Sequence, residues 1–302
     1  MSPQTFAELK QWMKSFYVGY FKDSCHQYPG FVNLRSNPGA QFAVHVRYRL
    51  PHRASSLLCS TAMLAHIPAA ARHHAAPTAG LSSYFLFSFA DYFDRGNMHF
   101  GPLRVFNDDT VAPQNGFPQH PHSEIEIVTL VLDGEVSHED TMGNRTAIPT
   151  GEVQRMTAGT GVAHSEMNRQ DQPLHLYQLW FMPSQRGLAP SYEQKDLGFL
   201  KGHRNELVPL VTGQRVLEDV VYMNSNSTIY WSNLDCGKQV VFKTFPLRLT
   251  FIYVKEGAIT VNGTKLGTND QARIDAENVL EIEATKDAQF ILIDLPGSEA
   301  NY

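Results

Sequence analysis

Apolar positions along this chain change period twice. Near the start, Phe6, Leu9, Trp12, Met13, Phe16, Tyr17 and Tyr20 recur at three- and four-residue spacing, the apolar face of a helix. Such a stripe packs against something and carries no function by itself. Residues 24–56 hold no sustained period and contain Pro-Gly and Asn-Pro turn signals. Residues 69–80, rich in Ala, His and Pro, read as a loop into the first strand. From Phe85 the texture is β. Ile125–Leu132 is a near-continuous apolar strand ending at the hairpin signal Asp133-Gly134, with further turns at Gly143-Asn144 and around Pro149-Thr150-Gly151. The same succession returns near the C-terminus. Strand Leu249–Val254, turn Glu256-Gly257 and strand Ala258–Val261 precede a type I′ signal at Asn262-Gly263 and a turn over 267–270. This repetition predicts two copies of one β-sandwich or barrel unit. Between them, 183–206, with Pro190, Tyr192 and Lys195, reads as a crossing segment with room for a short helix.

Composition sets limits on this picture. A chain of 302 residues exceeds the usual size of one core, so two domains are the prior expectation. A net charge of −5 leaves no electrostatic footprint for direct nucleic-acid binding. That total hides an asymmetry. In 1–62, Lys10, Lys14, Lys22, Arg35, Arg47, Arg49 and Arg53 stand against Glu8 and Asp23, a net of +5, so the remainder carries −10. Residues 1–62 therefore read as an extension of a different kind, which could be a targeting segment or a docking helix. Cys25, Cys59 and Cys236 are odd in number and fit no metal-ligand spacing, which favours a reducing, cytoplasmic setting, or a nuclear or organellar one if the extension is a targeting segment. Cys236 reads as a small buried hydrophobe. No apolar run approaches the roughly 18 residues of a membrane span, and no basic-then-apolar secretory signal opens the chain.

The chemistry gathers in two short pieces, His120-Pro121-His122 and His164-Ser165-Glu166. On a strand, residues i and i+2 share a face, so each piece can aim two side chains into a barrel. Pro121 removes a ladder donor and fits an edge or strand-start position. A His-x-His pair alone is weak, since thirteen histidines in this chain supply roughly half such a pair by chance. The second piece, approached through Thr157-Ala-Gly-Thr-Gly161, raises its weight. Three imidazoles and a carboxylate suit a divalent transition metal, iron first among them. Glu126 competes with Glu166 for the carboxylate position, since it is read as sharing a strand face with His122.

Here a family resemblance enters. Gly116-x3-His-x-His-x3-Glu126-x7-Gly134 resembles the first cupin motif, and Gly151 through His164-x3-Asn168 resembles the second. Both depart from the general pattern. The first glycine is closer to the histidines, Thr157 replaces the usual proline, and four residues separate Gly159 from His164. Those departures, with FSFADYFD (87–94), FGPLRVFNDDTVAP (100–113), GFPQHPH (116–122) and VQRMTAGTGVAHSEMN (153–168), resemble the pirin family, above all its bacterial quercetinase-like members. The likeness runs from about residue 70 to the C-terminus and leaves 1–62 out.

The resemblance implies an all-β fold of two tandem cupins, a jelly-roll-like bicupin, preceded by the extension and its possible helix. Residues 63–185 would form the metal-binding cupin, and 186–302 a second cupin that, with no histidine after His203, lacks a histidine metal site. It implies Fe(II), or another divalent transition metal, on His120, His122, His164 and Glu166, with Glu126 supporting from outside the ligand set. It implies a flavonol (quercetin 2,3-) dioxygenase that opens the ring with O2 and releases CO. The partners are then a small aromatic flavonol-like substrate and O2. In that reaction Glu166 both holds the metal and accepts the substrate's hydroxyl proton, and Phe117 and Phe100 line a flat pocket. The other reading is a non-enzymatic, redox-sensing metal regulator acting through a protein partner such as a transcription factor. Remaining residues receive plainer readings. His138 follows a hairpin turn and reads as surface, Asn107-Asp108-Asp109 as a turn with Arg104 and Asp108 able to pair, and His73-His74 as loop.

Overall fold

Residues with period-two alternation or continuous apolar runs become strands, and the described residues hold no helix beyond two single 3-10 turns. The computed structural model describes residues 63–297. The helical stripe of Phe6–Tyr20, the rest of the 1–62 extension, and Cys25 and Cys59 lie outside the described residues. No helix among the described residues is long and apolar enough to cross a membrane.

The chain runs through β1 (Met63–Ile67), β2 (His73–Thr78), β3 (Leu81–Phe85), β4 (Leu103–Val111), β5 (Gly116–His122), β6 (Glu126–Asp133) and β7 (Glu135–Asp140). It continues through β8 (Arg145–Pro149), β9 (Glu152–Thr157), β10 (Val162–Met167), β11 (Leu174–Phe181), β12 (Ser191–Asp196), β13 (Val208–Thr212) and β14 (Val221–Tyr222). It ends with β15 (Thr228–Leu234), β16 (Gln239–Lys243), β17 (Arg248–Val261), β18 (Thr264–Gly267), β19 (Gln271–Asp275) and β20 (Val279–Pro296). A seven-stranded sheet, β12-β9-β6-β11-β4-β3-β2, faces a four-stranded one, β5-β10-β7-β8, to make the first barrel. The second is a nine-stranded sheet, β1-β19-β17-β20-β15-β13-β14, with β16 on β20 and β18 on β17. This is the all-β bicupin that the resemblance implies. Each barrel takes a strand from beyond the span expected for it: β1 pairs with β19 of the second, and β12 with β9 of the first.

Three local expectations are corrected. Residues 69–80 are not loop but a 3-10 turn, Ala69–Ala71, and strand β2. That strand tolerates Pro77 because it lies at the sheet edge, and His73 stacks flat on Tyr92 at 4.2 Å. The segment 183–206 holds strand β12 and no helix. Glu256-Gly257 is not a turn but an irregularity within the fourteen-residue β17, whose register against β20 shifts there. Gly257 sits at φ +83°, and a Cβ would fall 2.0 Å from the Asp287 carbonyl oxygen, so only glycine allows the strands to stay paired. At Asn262-Gly263 both residues have positive φ, as a type I′ turn requires.

The near-continuous apolar run of β6 has a simple cause: the strand is buried on both faces. Ile127 and Val131 point into the first barrel, while Val128, Leu130 and Leu132 join a core shared by the two barrels. Strand β11 does the same with Leu176 and Trp180 inward and Tyr177, Leu179 and Phe181 outward. The shared core packs Phe106 of the first barrel against Phe251 and Tyr253 of the second, the rings tilted and 5.7 and 5.0 Å apart.

Candidate metal centre

Strands β5 and β10 pair so that His164 lies directly opposite His120, with Val162 opposite His122. Strand β5 is the edge of its sheet, the place that Pro121 requires. The three rings converge, their centroids 4.5 to 4.9 Å apart. His120 Nδ1 donates to the Pro118 carbonyl at 2.8 Å, which leaves a lone pair on Nε2. That nitrogen lies 3.1 Å from His164 Nε2, and His122 Nε2 is buried with no partner among the described residues. A proton on His164 Nε2 can bridge that one contact, but a cation among the three nitrogens satisfies all of them at once, the partnerless His122 Nε2 included. Burial pushes the His120 imidazole down to about 4 and holds His122 and His164 well below the usual range, with repulsion among the imidazoles acting the same way at His122 and His164. At neutral pH the rings are therefore neutral, the form that binds a metal. The donor set fits a divalent transition ion.

The carboxylate stands slightly apart. Ligand atoms of His120, His122 and His164 form one group, and those of Glu166, His164 and His138 an adjoining group, with atoms within 4.8 Å in each. Glu166 is buried and accepts from Gln178 Nε2 at 2.5 Å and Thr129 Oγ1 at 3.3 Å. Burial raises its carboxyl, and these two donors offset part of the rise. The Gln178 amide is itself oriented, because Trp180 Nε1 donates to its oxygen at 3.2 Å. The indole edge also packs on His122 at 4.8 Å.

Facing the histidines, Gln154, Thr129, Gln178 and Asn107 lie in register across β9, β6, β11 and β4. This polar row has apolar layers on either side, one with Val105, Met156 and Trp180, the other with Leu81, Val131 and Leu176. A shallow cleft of about 340 Å³ opens beside His122, lined by Pro121, Ser123, Thr141, Gly161 and Ala163.

Several expected placements are corrected. Glu126 does not share the face of the metal cluster. It points outward between the barrels, accepting from the Asn224 amide at 2.9 Å and Thr157 Oγ1 at 3.1 Å. His138 is not a surface residue but wholly buried, on β7 opposite Glu166. Asn107-Asp108-Asp109 is strand, not turn. Arg104 donates to the Ser88 and Met98 carbonyls, whereas Asp108 accepts from Arg72, His175 and Tyr253. Phe117 and Phe100 do not line the cleft; they pack on apolar cores. Cys236 is exposed at a turn, not buried.

Beneath the centre, burial raises the Asp109 carboxyl to about 7, partly offset by the Ser83 hydroxyl and reinforced by the charges of Asp108 and Glu166. A carboxyl raised in the folded state costs nothing below its unfolded pKa, about 3.9, and removes stability as the pH climbs through its folded value. Asp109→Asn is therefore expected to match the parent near pH 4, to exceed it increasingly up to about pH 7, and to hold a constant advantage above that. Urea midpoints across that range would measure the gap, and a gap independent of pH would contradict it.

Comparison with known proteins gives a consistent result. Residues 69–181 match the family model described as Pirin, and 210–295 the one described as quercetinase C-terminal cupin domain. A quercetin 2,3-dioxygenase of Escherichia coli K12 is 39% identical over 217 residues, covering 72% of this chain and 92% of that protein. A pirin-like protein of Caulobacter vibrioides is 38% identical over 209 residues, covering 69% and 89%. The crystal structure of the bacterial pirin YhhW of Escherichia coli in complex with nickel(II) superimposes with a TM-score of 0.72 at 37% identity, covering 78% of this chain and all of that one.

Proposed function

The chain belongs to the pirin family, and from that premise we propose that its first barrel, 63–185 completed by β12, is an iron-dependent flavonol dioxygenase centre. The second, within 186–302, serves as a structural partner. The ligands in this reading are His120, His122, His164 and Glu166. The observation that carries it is the inward-facing trio of neutral imidazoles with the partnerless His122 Nε2, in a chain 39% identical to a protein named quercetin 2,3-dioxygenase. Three nitrogens and one oxygen suit iron or nickel alike, and iron is preferred here for oxygen chemistry.

When bound, the metal supplies the Lewis acidity that favours the flavonol's 3-hydroxyl as its anion and the redox chemistry by which O2 opens the ring with loss of CO. The chain supplies the rest. The cleft beside His122 admits the flat substrate. Glu166 takes the hydroxyl proton, while Gln178 and Thr129 keep its carboxylate in place. The Trp180 layer keeps bulk water away from the reacting ring.

The test is direct. The protein is loaded anaerobically with ferrous iron, then given quercetin and O2, while flavonol absorbance and CO are followed together. Turnover well above free iron, with CO released in step with flavonol loss, is expected. A fully loaded protein no faster than free iron would end this reading.

A further inference from the structure

Residue His138 has no place in the ligand set just proposed, yet it is fully buried beside it. Both of its nitrogens are occupied. Nε2 lies 3.0 Å from Asp140 Oδ2, and Nδ1 receives Gln154 Nε2 at 2.9 Å. Asp140 is fixed in turn by the Met142 and Asn144 amides at 2.9 and 3.0 Å and by the Asn144 side chain at 2.8 Å. His138 and Asp140 side chains are both shielded from solvent. Tyr192 packs against the His138 ring at 5.0 Å, tilted by 41°, its hydroxyl held by Thr146 and Gln194. The ring therefore has one orientation and no nitrogen to spare for a metal.

Its hydrogen positions follow from its neighbours. An ionised carboxylate only accepts, so His138 Nε2 carries the proton toward Asp140, and the Nδ1 lone pair is shared between two neighbours, Gln154 Nε2 nearer and His164 Nδ1 farther. That same Nδ1 faces His164 Nδ1 at 3.5 Å. The pair is complementary when His164 carries its proton on Nδ1, which leaves the lone pair of His164 on Nε2, the nitrogen turned toward His120.

We propose that Asp140 and His138 act together as positioning residues that set the tautomer and basicity of His164 for a metal ion in the first barrel. This inference rests on the proposed centre. A metal-ligating imidazole whose far nitrogen donates to a basic partner binds more tightly and donates more electron density. Here the partner is a second imidazole, itself backed by a carboxylate, where the backing of His120 is a single backbone carbonyl.

The experiment compares wild type, His138→Phe, Asp140→Asn and His122→Ala for ferrous-iron affinity by chelator competition and for the reduction potential of the bound iron. Melting of each metal-free protein is recorded alongside. His138→Phe is expected to weaken binding by about 10- to 100-fold. Asp140→Asn should give the smaller loss and a raised potential, since less electron density reaches the oxidised metal. Asp140→Asn keeps the shape of the side chain and decides the matter if His138→Phe fails to fold. Wild-type affinity and potential in a folded Asp140→Asn protein would overturn the inference. Failure of the proposed centre looks different: wild type itself would then hold iron no better than His122→Ala.

Discussion

His164→Ala is expected to abolish tight metal binding while leaving the metal-free barrel folded, and Glu126→Ala to lower stability while keeping much of the metal binding. His164 sits at the meeting of two groups of ligand atoms, so its loss removes a nitrogen from the centre and the neighbour on which His138 acts. Loss of several kcal/mol of metal-dependent stabilisation corresponds to roughly a thousandfold or more in affinity and turnover at about 1.4 kcal/mol per factor of ten. Glu126 lies on the other face of its strand. Removing it leaves the half-buried Asn224 amide without its acceptor and the buried Thr157 hydroxyl without an acceptor for its proton, a total cost of about 1–3 kcal/mol. Paired measurements of metal content and denaturant midpoint on both variants separate the roles. If Glu126→Ala loses metal as completely as His164→Ala, Glu126 is the carboxylate ligand after all.

The second large effect concerns the joint between the barrels. Phe106 is fully buried and touches Tyr177, Phe251 and Tyr253, so its ring belongs equally to both halves. Phe106→Ala should cost about 3–5 kcal/mol through lost burial and an unfilled cavity. For a protein of this size that is roughly 10 °C in melting temperature. Because the core is continuous, the two barrels should still melt in one transition. A variant in which the second barrel unfolds alone would show that the halves are energetically independent.

Strand content, the hairpin at Asn262-Gly263 and the convergence of the three histidines were legible because each rests on a local rule: period, turn chemistry, or i,i+2 spacing. The hairpin expected at Asp133-Gly134 is not one, because β6 and β7 on either side of it run in different sheets and the turn carries the chain from one sheet to the other. Glu126 and His138 were not. The face of Glu126 depends on where β6 resumes after the Ser123–Ile125 turn, in which Glu124 takes a positive φ of 53°; counting in twos from His122 across that turn puts it on the wrong side. His138 had a usable signal. It shares alternation with buried Val136 on β7, and that parity should have outweighed its closeness to a hairpin. The row Gln154-Thr129-Gln178-Asn107 had none, since its members are distant in sequence and meet only through register. Glycine 257 misled for a related reason. A glycine that permits two strands to touch looks, in sequence, like one that turns the chain.

The pairing of β1 with β19 has a consequence for the newly made chain. Met63–Ile67 leaves the ribosome first among the described strands, yet its partners, Gln271–Asp275, are about two hundred residues away. At typical elongation rates of about 5–20 residues per second, the early strand waits on the order of 10–40 s for them. Through that interval the first barrel can close on its own strands, whereas the second stays one edge short until synthesis is nearly complete. A chain begun after Ile67 would never supply that edge, and β19 would be left open to strands of other molecules.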